Sequence, residues 1–455
     1  MKANAWVRSY GPAVLVLALV AYAGMYVRWP SLAGQVDLLV YRFGALRVLA
    51  GQDLYSIGLT GNPHTLLFDY TPFAALCSLP LTFVSTVMAQ VLGLVVNVAL
   101  VIYAVRRMLT RLGMAASAGL WSLGALLVGL VLWLEPVRLS LQLGQVNLVI
   151  LAVVVADLLG PDKRKWAGVG IGVVAGIKLT PALFIVYLIL LGRRRPAVMA
   201  SLTFAATVLI GFAVLPKGSE YFWLRGGFHD VARITSDPVA NTSLKGLFVR
   251  LHIVGAPTIV ATALLAVVAL TIAVLAWRHG QHVLGLAIVG MSSAALSPFS
   301  WSHHWVWVTP LLVHLGHRAY VLGSRWSLVA MWAFWVTFAG WVVSAKGDTP
   351  ETGLLAFRRG GAWDVVVPAA YLVAFAGVLV CTAWWLRGGQ ERSDPGNVRG
   401  GQERSDPGNV RRPSYETGTT TGDVLYPVTR TQSAETERPS TDARSSTVSP
   451  GKTVT

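Results

Sequence analysis

The stretch that decides the fold is Lys163–Arg195, KRKWAGVGIGVVAGIKLTPALFIVYLILLGRRR. Two triplets of cations bracket 27 residues that are largely apolar and are broken at Lys178-Leu179-Thr180-Pro181. Cationic clusters between apolar runs favour the cytoplasmic side of a membrane. Both triplets then lie on one side, so the crossings between them are even in number. The simplest solution is a tight hairpin of two short helices with Lys178 at its outer apex.

Working outward, apolar runs of this kind recur from Tyr10 to Leu386. About 20 residues at 1.5 Å each cross a hydrocarbon core, and only helices or closed barrels satisfy the backbone there. The runs predict spans at Gly11–Tyr26, Pro72–Val105 (broken at Pro80), Ala116–Leu134 and Asn147–Leu159, followed by the hairpin. Further spans fall at Ala197–Leu215, Thr258–Trp277, Val283–Leu296, Trp305–Leu322, Ser327–Val343 and Val365–Leu386. With both hairpin arms, the expectation is an all-α integral membrane protein of about twelve spans with both termini cytoplasmic. The first run lacks a small-x-small cleavage site after it, so it is read as a retained span and not as a signal peptide. Loops expected outside are Arg28–Tyr70, with a surface-lying amphipathic stretch Leu38–Leu49, then Glu135–Gln145, Pro216–Pro257, Ser297–His304 and Ala345–Trp363.

Composition agrees. Of 455 residues, 54% are hydrophobic and 13% charged, about half the charge of a soluble domain. The net charge of +16 invites a nucleic-acid partner, but the cations sit in short clusters between apolar runs, which is membrane topology. Arg233, Lys245, Arg250, Arg358 and Arg359 fall outside and suggest an anionic ligand there. Cys77 and Cys381 are far apart and predict neither a disulfide framework nor a metal site. Past Leu386 the chain turns to Ser, Thr, Pro, Gly and Arg, and residues 387–398 recur as 399–410. The division expected is a membrane domain, 1–386, and a disordered cytoplasmic tail without chemistry, 387–455.

Polar residues gather in short strings at the outer ends of the spans. They include Val36-Asp37-Leu38-Leu39-Val40-Tyr41, Gly51-Gln52-Asp53-Leu54-Tyr55, Asp69-Tyr70-Thr71-Pro72, Trp133-Leu134-Glu135-Pro136 and Gly144-Gln145-Val146-Asn147. Later come Ile177-Lys178-Leu179-Thr180-Pro181, Asn241-Thr242-Ser243-Leu244-Lys245-Gly246 and Ser297-Pro298-Phe299-Ser300-Trp301-Ser302-His303-His304-Trp305. Taken singly, each has a bland reading. An Asp at a helix start is a cap, Lys178 snorkels to headgroups, and Glu135 pairs with Arg138 at i, i+3. Adjacent histidines point about 100° apart on a helix and do not share one ion easily, although a metal remains the competing reading of that pair. Convergence on one side of the membrane favours a site.

In order, these strings resemble glycosyltransferase family 87, membrane-embedded GT-C enzymes, over roughly Gly34–Trp307. The forms W-L-E-P and S-W-S-H-H-W-V-W look especially like its mycobacterial and corynebacterial α-(1→2)-mannosyltransferases. Tyr70-Thr71-Pro72 departs from the Tyr-Pro-Pro of many relatives, with a small change of turn expected. The resemblance implies a polyprenyl-phosphate-mannose donor and an acceptor among phosphatidylinositol mannosides, lipomannan or lipoarabinomannan. It also implies a site on the external, periplasmic face of the plasma (inner) membrane, and no cofactor or metal. Asp37, directly after span one, is the implied catalytic base, with Asp69 its best rival. His303, His304 and Lys178 are assigned to the donor phosphate, and Gln145, Asn147, Asn241, Tyr41, Asp69 and Glu135 to substrate binding. Two alternatives stay open: an arabinofuranosyltransferase on the same scaffold, and a transporter, whose broken helices look alike but carry polar residues near the midplane of repeated halves.

Overall fold

The structure, a computed structural model, describes residues 5–230, 238–345, 350–357 and 360–391. The tail expectation from residue 392 onward lies outside them, as do Arg233, Asp237, Arg358 and Arg359. In order the helices are α1 Ala5–Arg28, α2 Val36–Leu49, α3 Pro72–Cys77, α4 Thr86–Arg111, α5 Ala118–Leu132, α6 Glu135–Leu143, α7 Asn147–Leu158, α8 Val169–Ile177 and α9 Ala182–Leu190. They continue as α10 Arg194–Val214, α11 Pro216–Ser219, α12 Leu244–Arg250, α13 Ala256–Arg278, α14 His282–Ala295, α15 Val308–Tyr320, α16 Arg325–Phe338 and α17 Trp363–Glu391. The strands β1 Val342–Ser344 and β2 Glu351–Thr352 pair antiparallel.

Five helices, α1, α4, α10, α13 and α17, are long and apolar enough to cross a membrane. The α6–α7 pair, bent by 118°, makes a sixth if taken as one broken span. The chain is a helical, multi-pass membrane protein, and twelve full-length crossings are not seen among the described residues. The hairpin is present as α8 and α9 with Lys178 at the break, but each arm has nine residues. Such an arm rises about 13 Å, under half the ~30 Å core.

Burial explains why other expected spans are short. The long helix α13 exposes Ile259, Val260, Leu264 and Val267, as a lipid-facing helix does. In α14, by contrast, every residue from Val283 to Ala295 is buried, and α9, α13, α15 and α17 pack around it. A helix apolar on all sides is a core helix, and its length is set by its protein neighbours.

Four sequence expectations need correction. The Glu135–Gln145 segment is not a loop: Glu135 to Leu143 form α6, with Glu135, Pro136, Val137, Arg138, Ser140 and Leu141 buried. Pro72–Val105 is not one crossing, because Ser78–Ser85 separates the short α3 from α4, whose N-cap is Ser85. Helix α2 starts at Val36, which places Asp37 in its first turn. Helix α17 continues past Leu386 to Glu391, since a helix already nucleated by a span propagates at little cost.

A second, separate core supports the polar strings. Val40, Tyr41, Leu54, Tyr55, Phe68, Tyr70 and Phe222 bury one another there. Asp53 serves as a local turn acceptor for the Tyr55 amide at 2.7 Å, as a capping acid does.

Candidate active site

Glutamines fix the start of α2. Gln35 Nε2 donates to the Gln90 carbonyl at 2.8 Å, and Gln90 Nε2 donates to the Gly34 carbonyl at 2.7 Å. This clasp holds α2 against α4, while the Gln35 amide donates to Gln142 O on α6. Gly144, between α6 and α7, has φ +68°, and a Cβ there would lie 2.7 Å from Leu38 Cβ. Only glycine lets α6 turn this close to α2, and Gln145 follows directly.

The 297–307 segment is zipped to Asn241–Ser243. Asn241 Oδ1 accepts from the Ser243 and Ser300 amides, both at 3.0 Å, and its Nδ2 donates to Pro298 O at 3.1 Å. The amide and hydroxyl of Thr242 both donate to Ser300 O at 2.7 Å, and Trp305 Nε1 donates to the Thr242 hydroxyl at 2.9 Å. Glu135 accepts from the Leu354 amide at 2.6 Å. Arg138 bonds Thr352 and Gln142, so the Glu135–Arg138 pairing of the bland reading is not seen. Both side chains tie α6 to the β2 segment instead.

These supports enclose a cavity of about 700 Å³. Of the ten residues singled out, seven line it: Asp37, Tyr41, Asp69, Gln145, Lys178, His303 and His304. Asn147, Asn241 and Glu135 stand behind its wall. Asn147 donates to His303 O at 3.0 Å and accepts from Lys178 Nζ at 3.1 Å. Lys178 does not snorkel; its Nζ also lies 3.1 Å from His304 Nε2 and 5.3 Å from the centre of the Tyr70 ring. An ammonium there donates, so His304 carries its proton on Nδ1.

The electrostatics divide the cavity. On one side, burial pushes the Asp37 carboxyl up to about 6; the Gln145 hydrogen bond lowers it, Asp69 raises it and Lys178 lowers it. A carboxylate so tuned accepts a proton readily near neutrality. On the other side, burial brings Lys178 down to about 8, against the pull of Asp69 and Asp37. Burial, and then Lys178, hold His303 and His304 well below the ordinary histidine range. Both imidazoles are therefore neutral at pH 7. His303 is 4% exposed and neither ring nitrogen has a partner. Leaving such a donor unmade costs about 1–3 kcal/mol.

Tyr70 is the residue that sequence reasoning missed. In the sequence it stands out only as part of the Tyr70-Thr71-Pro72 string. Its hydroxyl lies 2.9 Å from that of Tyr41 and 3.0 Å from Gln145 Oε1, and its ring underlies Lys178. Thr71 also does more than adjust a turn. Its hydroxyl caps α3 by accepting from the Ala74 amide, and it donates to the Gly176 carbonyl two residues before Lys178.

Fold and cavity together define a helical membrane protein with a cavity that gathers two carboxylates, a lysine and two histidines. Residues 68–298 match glycosyltransferase family 87. A polyprenol-phosphate-mannose-dependent α-(1-2)-phosphatidylinositol mannoside mannosyltransferase of Mycolicibacterium smegmatis is 30% identical over 341 residues, 68% of this chain and 77% of its own. A polyprenol-phosphate-mannose-dependent α-(1-2)-phosphatidylinositol pentamannoside mannosyltransferase of Mycobacterium tuberculosis is 32% identical over 317 residues, 66% of this chain and 71% of its own. The chain belongs to glycosyltransferase family 87. Asp37 lies upstream of the family-matched residues.

Proposed function

We propose that this chain transfers mannose from polyprenyl-phosphate-mannose to a hydroxyl of a mannosylated lipid, a phosphatidylinositol mannoside or lipomannan-type acceptor, forming an α-(1→2) linkage. The observation that carries this is one cavity holding a raised-pKa carboxylate, Asp37, and a cation with neutral imidazole donors, Lys178, His303 and His304. Asp37 takes the proton from the acceptor hydroxyl as its oxygen bonds to the anomeric carbon. The bond from that carbon to the phosphate oxygen breaks, and its electron pair leaves with the polyprenyl phosphate. Lys178, His303 and His304 stabilise the charge that grows there. One displacement on a β-linked donor inverts to the α-mannoside with no covalent enzyme intermediate. Leu66, Leu139, Leu179, Leu183 and Phe228 on the cavity wall suit lipid-linked substrates.

The reading places this site on the external face of the plasma membrane in a GT-C bundle of about twelve helical crossings, and it requires no metal. The Lys178 ammonium 3.1 Å from His304 occupies the place where a cation bound by that histidine would sit. Membranes containing the protein, given labelled polyprenyl-phosphate-mannose and a panel of mannolipids, should label a phosphatidylinositol mannoside, with full turnover in excess chelator. Transfer from polyprenyl-phosphoarabinose alone would refute the mannose reading. A strict metal requirement would reassign both histidines.

A further inference from the structure

We propose that Gln145, gripped at its carbonyl by the Tyr41 and Tyr70 hydroxyls, is the positioning residue that aims Asp37. The proposal rests on Asp37 being the base. Gln145 Nε2 donates to Asp37 Oδ2. At its other end, Oε1 lies 3.0 Å from both tyrosine hydroxyls, which lie 2.9 Å from each other. All three side chains are buried.

The amide has only one workable orientation. An ionised carboxylate accepts and cannot donate, so Nε2 must face Asp37. The hydroxyls then supply the donors that Oε1 needs. With Oδ2 tied down, Oδ1 is the oxygen left to take the acceptor's proton. The rings are fixed as well: Tyr41 and Tyr70 meet edge to face with centroids 4.9 Å apart. Gly144 sets the backbone that delivers Gln145. The strings holding Asp37, Tyr41, Tyr70 and Gln145 thus form one device for holding a carboxylate.

Other groups facing Asp37 are few. Asp69 precedes α3, and Lys178 sits at the α8–α9 break. On α6, Glu135 and Arg138 are engaged with the β2 segment, and the start of α4 presents Gln90. A change at Gln145 should therefore register directly on Asp37. In Gln145→Glu a second carboxyl replaces the donor, and like charges sharing a site raise the proton affinity of the pair.

The test is the pH profile of kcat for the full chain in detergent or vesicles, alongside donor KM. For Gln145→Glu the acid limb should move to higher pH by about one unit or more, which is about tenfold in rate below both limbs. The Tyr41→Phe/Tyr70→Phe double variant frees the amide to turn and should move the limb the same way, and it serves if the first variant folds poorly. A uniform fall in rate with the limb unmoved, or no change, overturns the proposal. Asp37→Asn is run in parallel: if it keeps a near-normal rate, the assignment of the base fails, a result separate from any obtained with Gln145.

Discussion

Asp37 and Lys178 set opposite limbs of the pH dependence. Asp37 must be ionised to accept a proton, so turnover should fall as pH drops through about 6. Lys178 must be protonated to meet a phosphate, so donor use should weaken as pH rises through about 8. A bell-shaped profile between these values is expected, and a flat one from pH 5 to 9 would contradict both roles. Asp37→Asn should lower turnover by about 10²–10⁴-fold with donor binding retained. Should Asp69→Asn do this instead, the base is Asp69, which stands on the cavity lining and is exposed. His303→Ala should raise donor KM far more than acceptor KM, because His303 lines the cavity that the donor phosphate would fill and its ring nitrogens have no protein partner. Equal effects on both substrates would make His303 a structural residue.

Helices were legible where apolar period and breakers agreed, and misread where a short element carried polar residues inward. The Lys163–Arg195 hairpin was readable from its flanking charges and the Lys178–Pro181 break. Helix α6 was not, because Arg138, Ser140 and Gln142 read as loop polarity, whereas Arg138 and Ser140 are buried and bonded. The gathering of Asp37, Gln145, Lys178 and the histidines was foreseen through motif order. The chain of bonds among them was not, since hydrogen-bond partners over a hundred residues apart leave no local pattern. At this scale Gly144→Ala is the sharpest probe. A Cβ at φ +68° and 2.7 Å from Leu38 Cβ should cost about 1–3 kcal/mol of strain and displace Gln145. Thermal unfolding should fall and turnover with it; a variant as stable and active as the parent would refute the close approach of α6 to α2.

At the scale of the molecule, one prediction fixes sidedness. With Cys77 and Cys381, both exposed, changed to serine, Thr60→Cys lies at an exposed position in the segment between α2 and α3. Lys163→Cys lies in the basic cluster between α7 and α8. An impermeant thiol reagent on intact cells should label the first and spare the second; the reverse would turn the cavity to the cytoplasm. That a whole helix, α14, is shut away from the lipid was not legible beforehand, because it is as apolar on average as α13. The surroundings of α14 set it apart: at Gly285 a Cβ would lie 2.6 Å from the Tyr187 hydroxyl, and at Gly290 2.2 Å from the Trp307 ring.

That confinement bears on how such a chain can diverge. Along α13 the positions Ile259, Val260, Leu264 and Val267 are exposed, and acyl chains around such a helix accept Leu, Ile, Val or Ala almost interchangeably. Substitutions there should accumulate at nearly the rate of mutation. Along α14 each methyl gained presses on a neighbour that is itself enclosed and each one lost leaves a void, so a change at Gly290 must wait for one at Trp307. Descendants of this sequence should keep the interior helix nearly fixed while its lipid-facing partner drifts. The two adjacent helices would then record very different amounts of elapsed time.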